Sequence, residues 1–155
     1  MTKLTAQQIG RCGELLVQYM LLKYGIESAP LTTDTGIDLV AYPRIASNTW
    51  PANRPATIQV KTSTHRGDET NGKWIEWNLP VDCPADYVAA VDIERNKLWL
   101  FEFADFKALA KRAGEGHLRL WWSLPEYESE RSARKEEQFK DYEMDAAVPK
   151  LFILK

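Results

Sequence analysis

Apolar residues recur every three or four positions along the first 24 residues, which is the spacing of one helical face. Thr5 and Gln8 match a capping box, and Gly25 stands where a helix commonly ends. The pattern predicts a helix over residues 6–24 with Glu14 at the border of its buried stripe. The predicted stripe contains Ile9, Gly13, Leu16, Val17, Met20, Leu21 and Tyr24.

After a connector over residues 26–35, the pattern changes to short β-prone runs. These runs predict strands over residues 37–42, 56–62 and 74–79, and a hairpin over residues 87–103 that turns at residues 95–97. In the second run, Ile58 and Val60 alternate with Thr57, Gln59 and Lys61, so the two sets lie on opposite faces. We expect the first two strands to pair.

The last third of the chain predicts a helix over residues 104–113 and a strand over residues 118–122. The charged segment 126–145 fits either a solvated helix or an irregular excursion. Together these elements indicate a single domain over residues 1–155 with an α/β (α+β) fold, in which helices flank a mixed β-sheet.

Composition supports an ordinary globular domain, since 45% of the 155 residues are hydrophobic and 27% are charged. Cys12 and Cys83 are far apart and have no CxxC partner, so we interpret them as buried thiols rather than as a disulfide or a zinc site. The N-terminus does not resemble a signal peptide, and no apolar run reaches the roughly 20 residues of a membrane span. We therefore expect a cytoplasmic protein.

The charge distribution is uneven although the net charge is only -2. Residues 43–73 hold five cations and two anions, whereas residues 126–145 hold eight anions and four cations. A mildly acidic protein with this distribution can still present a basic surface to a phosphate backbone.

Four polar residues indicate metal-dependent chemistry. Asp38 opens one predicted strand, Gln59 and Lys61 share a face of the next, and Glu14 lies on the helix. Magnesium prefers oxygen ligands and keeps several waters, so one or two carboxylates with an amide carbonyl suit it. A metal held there can polarise a phosphate oxygen and acidify a water, while Lys61 orients that water or stabilises developing charge.

The run from Gly36 to Asp38, followed after about twenty residues by the run from Ile58 to Thr62, resembles the PD-(D/E)XK nuclease superfamily. It is most similar to the branch with homing endonucleases in which Gln replaces the second acid. The resemblance covers residues 6–103 and implies a restriction-endonuclease-like core. It assigns metal binding to Asp38 and Gln59, catalysis to Lys61, and support of the metal site to Glu14.

This resemblance implies a DNA endonuclease that depends on magnesium, with manganese as a possible substitute. It also implies a homodimer that uses no organic cofactor and does not bind a membrane. Because Gln59 carries no charge, the alternative is a catalytically degenerate domain that binds DNA or protein. A further alternative is an unrelated small α/β protein. The residues expected to contact DNA are Arg44, Arg54, Thr62, Ser63, His65, Arg66 and Lys73.

His65, which belongs to this set, and Trp50, which does not, each fit DNA contact or an ordinary structural role. His65 follows a run of hydroxyl side chains and can donate to phosphate with them, but an ordinary loop histidine fits equally. Trp50 lies in a loop between Arg44 and Arg54, where it either contacts DNA or anchors the loop. The other tryptophans stand in strand-like runs and are interpreted as core or dimer-interface residues.

Overall fold

The computed structural model describes residues 3–33, 35–51, 53–129 and 132–153. In chain order the elements are α1 (Ala6–Lys23), β1 (Glu27–Pro30), β2 (Leu39–Tyr42), β3 (Ala56–Ser63), β4 (Arg66–Asp68), β5 (Gly72–Pro80), β6 (Tyr87–Asp92), β7 (Lys97–Glu102), α2 (Phe103–Leu109), β8 (Lys111–Arg112), β9 (His117–Ser123) and α3 (Met144–Phe152). Two 3₁₀ segments, Pro125–Tyr127 and Glu136–Tyr142, lie between β9 and α3.

The strands form two sheets. A five-stranded mixed sheet has the order β1-β2-β3-β6-β7, in which β3 and β6 are parallel and the other neighbours are antiparallel. A four-stranded antiparallel sheet has the order β4-β5-β9-β8. The predicted fold class, a mixed sheet flanked by helices, is confirmed. The second sheet was not predicted, because residues 74–79 and 118–122 reveal their pairing only in the folded chain.

Helix α1 forms where the periodicity predicts it. Thr5 accepts a hydrogen bond from the backbone N–H of Gln8, and the Gln8 side chain accepts one from the backbone N–H of Thr5, which completes the capping box. The helix ends at Lys23, and Gly25 follows with a φ of +73°, a conformation that glycine adopts without a steric cost.

The mixed sheet is covered on both faces, which creates two cores. On one face, Ile58 and Val60 of β3 pack with α1 and α3. On the other face, Val88 and Ala90 of β6 pack with α2 and the antiparallel sheet. This second core contains Trp77, Trp99 and Trp122, which are almost fully buried and contact one another. The interpretation of these three tryptophans as core residues is correct.

Several elements differ from the sequence predictions. The connector over residues 26–35 contains the edge strand β1, which pairs with β2. The helix predicted over residues 104–113 ends at Leu109, and β8 follows it. The segment 126–145 holds the second 3₁₀ segment, whose Phe139 is buried and stacks on Trp122 at 4.5 Å between ring centroids. An isolated apolar residue among charges thus anchors the segment to the core.

The C-terminal helix α3 was also missed. The sequence predicted no element after the charged segment, whereas the helix begins at Met144 and buries Ala147, Val148, Leu151 and Phe152. Most of its buried stripe lies beyond the charged segment, but Pro149 stands within the helix, and a proline in a helix interior argues against a helical prediction. Over the described parts of the chain, we find no helix that is both long and apolar enough to cross a membrane.

Candidate active site

The site begins at the junction of β2 and β3. These strands are antiparallel with Leu39 opposite Ile58, and the backbone N–H of Asp38 donates to the Ile58 carbonyl at 2.9 Å. Asp38 therefore stands directly before β2, next to Gln59 on the neighbouring strand. This placement follows from register, because residues opposite one another in a sheet project to the same face.

The Asp38 carboxylate is held by two donors of β3. Its Oδ2 atom accepts a hydrogen bond from the backbone N–H of Val60 at 2.6 Å and another from the Gln59 side-chain amide. Hydrogen bonds to an ionised acceptor are among the stronger ones in proteins. The two donors therefore set the orientation of the carboxylate.

Gln59 is a buried polar residue, with 5% of its surface exposed. Its Nε2 atom donates to Asp38 and lies 3.4 Å from the Val60 carbonyl. With the nitrogen engaged in this way, the amide oxygen faces Gly36, where an added Cβ would lie 3.7 Å from it. Gly36 also has a φ of +78°, and an added Cβ would lie 3.0 Å from Pro84 Cδ, so a larger residue there would strain the backbone and press on Pro84.

Lys61 is two residues further along β3 and so projects from the same face as Gln59. It is half-buried. The Cys83 thiol lies close enough to the Asp38 carboxylate and the Lys61 ammonium for both charges to shift its pKa. Burial raises the pKa of Cys83, the Ala85 backbone N–H and the Lys61 ammonium lower it, and the Asp38 carboxylate raises it. Asp38, Gln59 and Lys61 are thus brought to one side of the mixed sheet.

Glu14 lies on the helix side of the mixed sheet, apart from Asp38, Gln59 and Lys61. Helix α1 contacts β3 so closely that a Cβ at Gly13 would overlap the Thr62 hydroxyl, and α1 belongs to the core on the face opposite Gln59. The Glu14 carboxylate accepts a hydrogen bond from Arg11 at 2.7 Å and is 26% exposed. Its predicted place at the border of the helical stripe is confirmed.

A cleft of about 300 Å³ opens beside Gln59. Its lining residues are Thr35, Gly36, Gln59, Pro80, Asp82, Cys83 and Pro84. Asp82 and Cys83 were not predicted as site residues, since they stand in the connection between β5 and β6 and carry no motif. Only the end of β5 at Pro80 brings that connection to the β2–β3 junction.

The donors at this junction suit a hard cation that keeps most of its waters. They are carboxylate and amide oxygens, the ligand types that magnesium prefers. Within residues 3–33, 35–51, 53–129 and 132–153, no three His, Cys, Asp or Glu side chains are grouped as a metal site. The candidate ligands at the junction are therefore the Asp38 carboxylate and the Gln59 amide oxygen.

Three of the predicted DNA-contacting residues are engaged within the chain. Thr62 lies beneath α1, and Ser63 is buried and donates to the Thr64 carbonyl at 3.2 Å. The His65 ring lies between two carboxylates, with Nε2 at 2.9 Å from Asp92 and Nδ1 at 3.1 Å from Glu94. A contact between His65 and phosphate would require one of these pairs to open.

The four predicted cations remain at the surface or near it. Arg44 and Arg66 are exposed, and Lys73 pairs with Glu69. Arg54 is exposed and lies over the Trp50 ring at 4.5 Å from its centroid. Trp50 itself is buried and donates to the Arg54 carbonyl at 2.8 Å, so it anchors its loop.

Comparison with known proteins gives a likeness of fold. No protein-family model matches the chain, and no curated protein matches it in sequence. Among solved structures, the fold is similar to that of a bacterial homing endonuclease, I-Ssp6803I, with a TM-score of 0.59 over 94% of this chain and 91% of that chain. The two sequences are 15% identical. The predicted nuclease-like fold is confirmed, whereas the PD-(D/E)XK motif and its Gln variant stay predictions.

Proposed function

We propose that this protein is a magnesium-dependent endonuclease that hydrolyses phosphodiester bonds in DNA. The observation that carries the proposal is the Asp38 carboxylate held by Val60 and Gln59, with Lys61 on the same face of β3. The fold likeness to a homing endonuclease supports DNA as the substrate. A cytoplasmic location and a homodimer are part of the same proposal.

Each residue has a separate task in this proposal. Asp38 and the Gln59 amide oxygen hold magnesium, and manganese is an alternative. Glu14 is not a direct ligand in this proposal, since α1 covers the opposite face of the sheet. When bound, the metal supplies polarisation of a phosphate oxygen and a more acidic water. Lys61 orients the attacking water or stabilises the charge that develops on the phosphate. Arg44, Arg54, Arg66 and Lys73 contribute cations along the DNA backbone.

Cleavage assays test the proposal directly. Plasmid, branched and single-stranded DNA are incubated with the protein and either magnesium or manganese, and the parent is compared with Lys61→Ala. Loss of one preorganised charge in an active site typically lowers kcat by about 10²- to 10³-fold. Lys107→Ala is the matched control, since Lys107 is exposed on α2. A parent that cuts no substrate, or a Lys61→Ala variant that cuts as fast as the control, contradicts the proposal.

A second candidate is a degenerate nuclease fold that binds DNA or protein without cutting. Gln59 favours it, because a neutral amide donates to Asp38 where an acid would add a metal ligand. Calorimetry separates the two functions. Magnesium binding that disappears in Asp38→Asn supports the enzyme, whereas metal-independent DNA binding that weakens with salt supports the binding module.

A further inference from the structure

The antiparallel sheet turns one face toward the tryptophan-rich core and the other away from it, and we call the second the outer face. Along β5 and β9, buried positions alternate with more exposed ones, so every second residue projects outward. Trp74 on β5 and Trp121 on β9 belong to the outer face, whereas Trp77 and Trp122 lie in the core. Trp74 is 36% exposed and Trp121 is partly buried. Core packing therefore does not account for these two outer rings.

The strand register places the two outer tryptophans beside each other. Trp74 lies opposite Ser123, and Trp121 lies opposite Glu76, so the tryptophans are diagonal neighbours on β5 and β9. Diagonal neighbours in an antiparallel pair are about 7 to 8 Å apart, within reach of aromatic side chains. Both line a recess of about 570 Å³, which Tyr127 also lines. This volume is typical of pockets that hold small molecules, which measure about 300 to 1,000 Å³.

Cations flank the two rings on the outer face. Arg66 lies opposite Trp74 across β4 and β5, and Lys111 lies opposite Arg119 across β8 and β9. Directly opposed residues project to the same face of a sheet, so these cations share the outer face with the rings. Arg66 and Lys111 are exposed, and the Arg119 side chain is 47% exposed. Positive charge therefore stands on both edge strands, with the aromatic rings between them.

The anions of the same region are engaged within the chain. Glu69 pairs with Lys73, and the Glu76 carboxylate lies 3.9 Å from Arg119. Asp68 accepts hydrogen bonds from two backbone N–H groups of the turn that follows it, both at 2.8 Å. The cations at the two edges of the sheet are thus the exposed charges that complement a polyanion such as nucleic acid.

Strand β5 joins this recess to the cleft beside Gln59. Pro80 ends β5 and lines the cleft, whereas Trp74 lines the recess. The two residues lie six positions apart on the same face, which is about 20 Å at roughly 3.3 Å per residue. Between them, Arg119 donates to the Asn78 side chain at 3.3 Å. This distance corresponds to about six stacked nucleotides at roughly 3.4 Å each.

We propose that the outer face binds an unpaired stretch of DNA, whose bases stack on Trp74 and Trp121 and whose phosphates meet the flanking cations. The proposal rests on the proposed function and narrows its substrate to DNA with a single-stranded segment about six nucleotides from the cleft. Aromatic rings on a four-stranded sheet suit single strands, because an unpaired base offers its flat face for stacking. Bases in a duplex are already stacked and offer only their edges in the grooves.

Fluorescence anisotropy with a labelled oligothymidylate of about 20 nucleotides tests the proposal, in EDTA so that no cleavage occurs. Trp74→Ala and Trp121→Ala are each expected to weaken binding about 5- to 150-fold, which is the typical loss of one stacking ring. Trp74→Phe keeps a ring and should retain most of the affinity. Tyr19→Ala is the matched control, since Tyr19 is a 60% exposed aromatic residue on α1.

Several outcomes of this assay would overturn the proposal. Circular dichroism melts establish that each variant folds. A parent that binds no oligothymidylate contradicts it, as do tryptophan variants that bind as tightly as Tyr19→Ala. Tighter binding of a duplex or of oligouridylate would assign the face to duplex DNA or to RNA. Sedimentation that shows a dimer lost in Trp74→Ala without a loss of DNA affinity would assign the face to a second copy of the chain.

Salt dependence tests the phosphate contacts. Each cation that contacts a single strand contributes about 0.7 to the slope of log affinity against log salt concentration. Arg66→Ala combined with Lys111→Ala should therefore reduce the slope by about 1.4, and Lys107→Ala on α2 is the control. An unchanged slope overturns the proposal. Cleavage is measured separately: binding through Trp74 without cleavage contradicts only the nuclease, whereas cleavage without oligothymidylate binding contradicts only the role of the outer face.

Discussion

The two faces of the mixed sheet are covered differently. On the helix face, α1 and α3 form a continuous apolar core with β2 and β3. On the opposite face, the antiparallel sheet supplies a tryptophan-rich core, and beyond the end of β5 at Pro80 a cleft opens beside Gln59. The candidate active site thus lies where the antiparallel sheet no longer covers the mixed sheet and polar groups can reach solvent.

Along the mixed sheet, the residues that stabilise the fold therefore lie apart from the residues of the candidate site. Trp77, Trp99 and Trp122 are buried where β6 and β7 are covered, and they contact one another at 4.7 to 5.6 Å between ring centroids. Gln59, by contrast, is a buried amide that requires a hydrogen-bond partner, because burial of an unpaired polar group is costly. Asp38 provides that partner and loses its amide donor if Gln59 changes.

The largest effect is expected in the tryptophan core. Trp122→Ala removes a ring that contacts Trp77, Trp99 and Phe139, and such a truncation typically costs about 3 to 5 kcal/mol of unfolding free energy. Urea denaturation measures the loss. Trp121→Ala is the matched control, since Trp121 is adjacent on β9 but projects from the outer face. Equal losses in the two variants would mean that the faces of β9 are not as different as the burial indicates.

A smaller effect is expected at the polar junction. Gln59→Glu replaces the amide donor to Asp38 by a like charge, and loss of a hydrogen bond to an ionised group typically costs about 1.5 to 3 kcal/mol. The same change adds an anionic ligand, so magnesium should raise the melting temperature of the variant more than that of the parent. Gln7→Glu, in the exposed first turn of α1, is the control. An equal response to magnesium in all three proteins would argue against a metal site at Gln59.

The smallest effect concerns Cys83 in the cleft wall. Burial raises the pKa of this thiol, so the neutral form persists to higher pH in the folded chain than in the unfolded one. Because the pKa of Cys83 is higher in the folded chain than in the unfolded chain, the protonated thiol favours the folded state at a pH below the unfolded-state pKa. This contribution to the free energy of unfolding is lost as the pH rises through the folded-state pKa. In Cys12→Ser, which leaves one thiol, iodoacetamide should therefore modify Cys83 more slowly at pH 8 than after unfolding in urea. Equal rates would contradict the burial of this side chain.

The sequence predicted most of the mixed sheet and part of the site. Strand alternation placed Gln59 and Lys61 on one face, and the pairing of the first two β-runs brought Asp38 beside them, since local periodicity sets which way a side chain projects. Helix α1 could also be predicted from the sequence, because its capping box, its buried stripe and the glycine that follows it all lie within one continuous segment. The roles of these residues in metal binding and catalysis stay predictions.

The sequence could not predict what depends on distant contacts. Cys83 and Asp82 join the cleft only because β5 ends beside the β2–β3 junction, and His65 meets Asp92 and Glu94 only because β3 and β6 are parallel neighbours. The charged segment 126–145 hid Phe139 in the same way, as a single apolar residue has no periodicity. Its burial was decided by Trp122, which lies on β9.

By itself, then, the amino-acid order determined the local geometry: where α1 begins and ends, which faces of β3 carry Ile58 and Gln59, and where the chain turns between β6 and β7. Tertiary structure alone decided that a second sheet covers most of one face and leaves the cleft open, and that Leu15, Tyr19 and Leu22 on the outer face of α1 stay exposed. The physical reason is range, because helical and strand periods arise from neighbouring residues, whereas covering a face requires surfaces far apart in the chain.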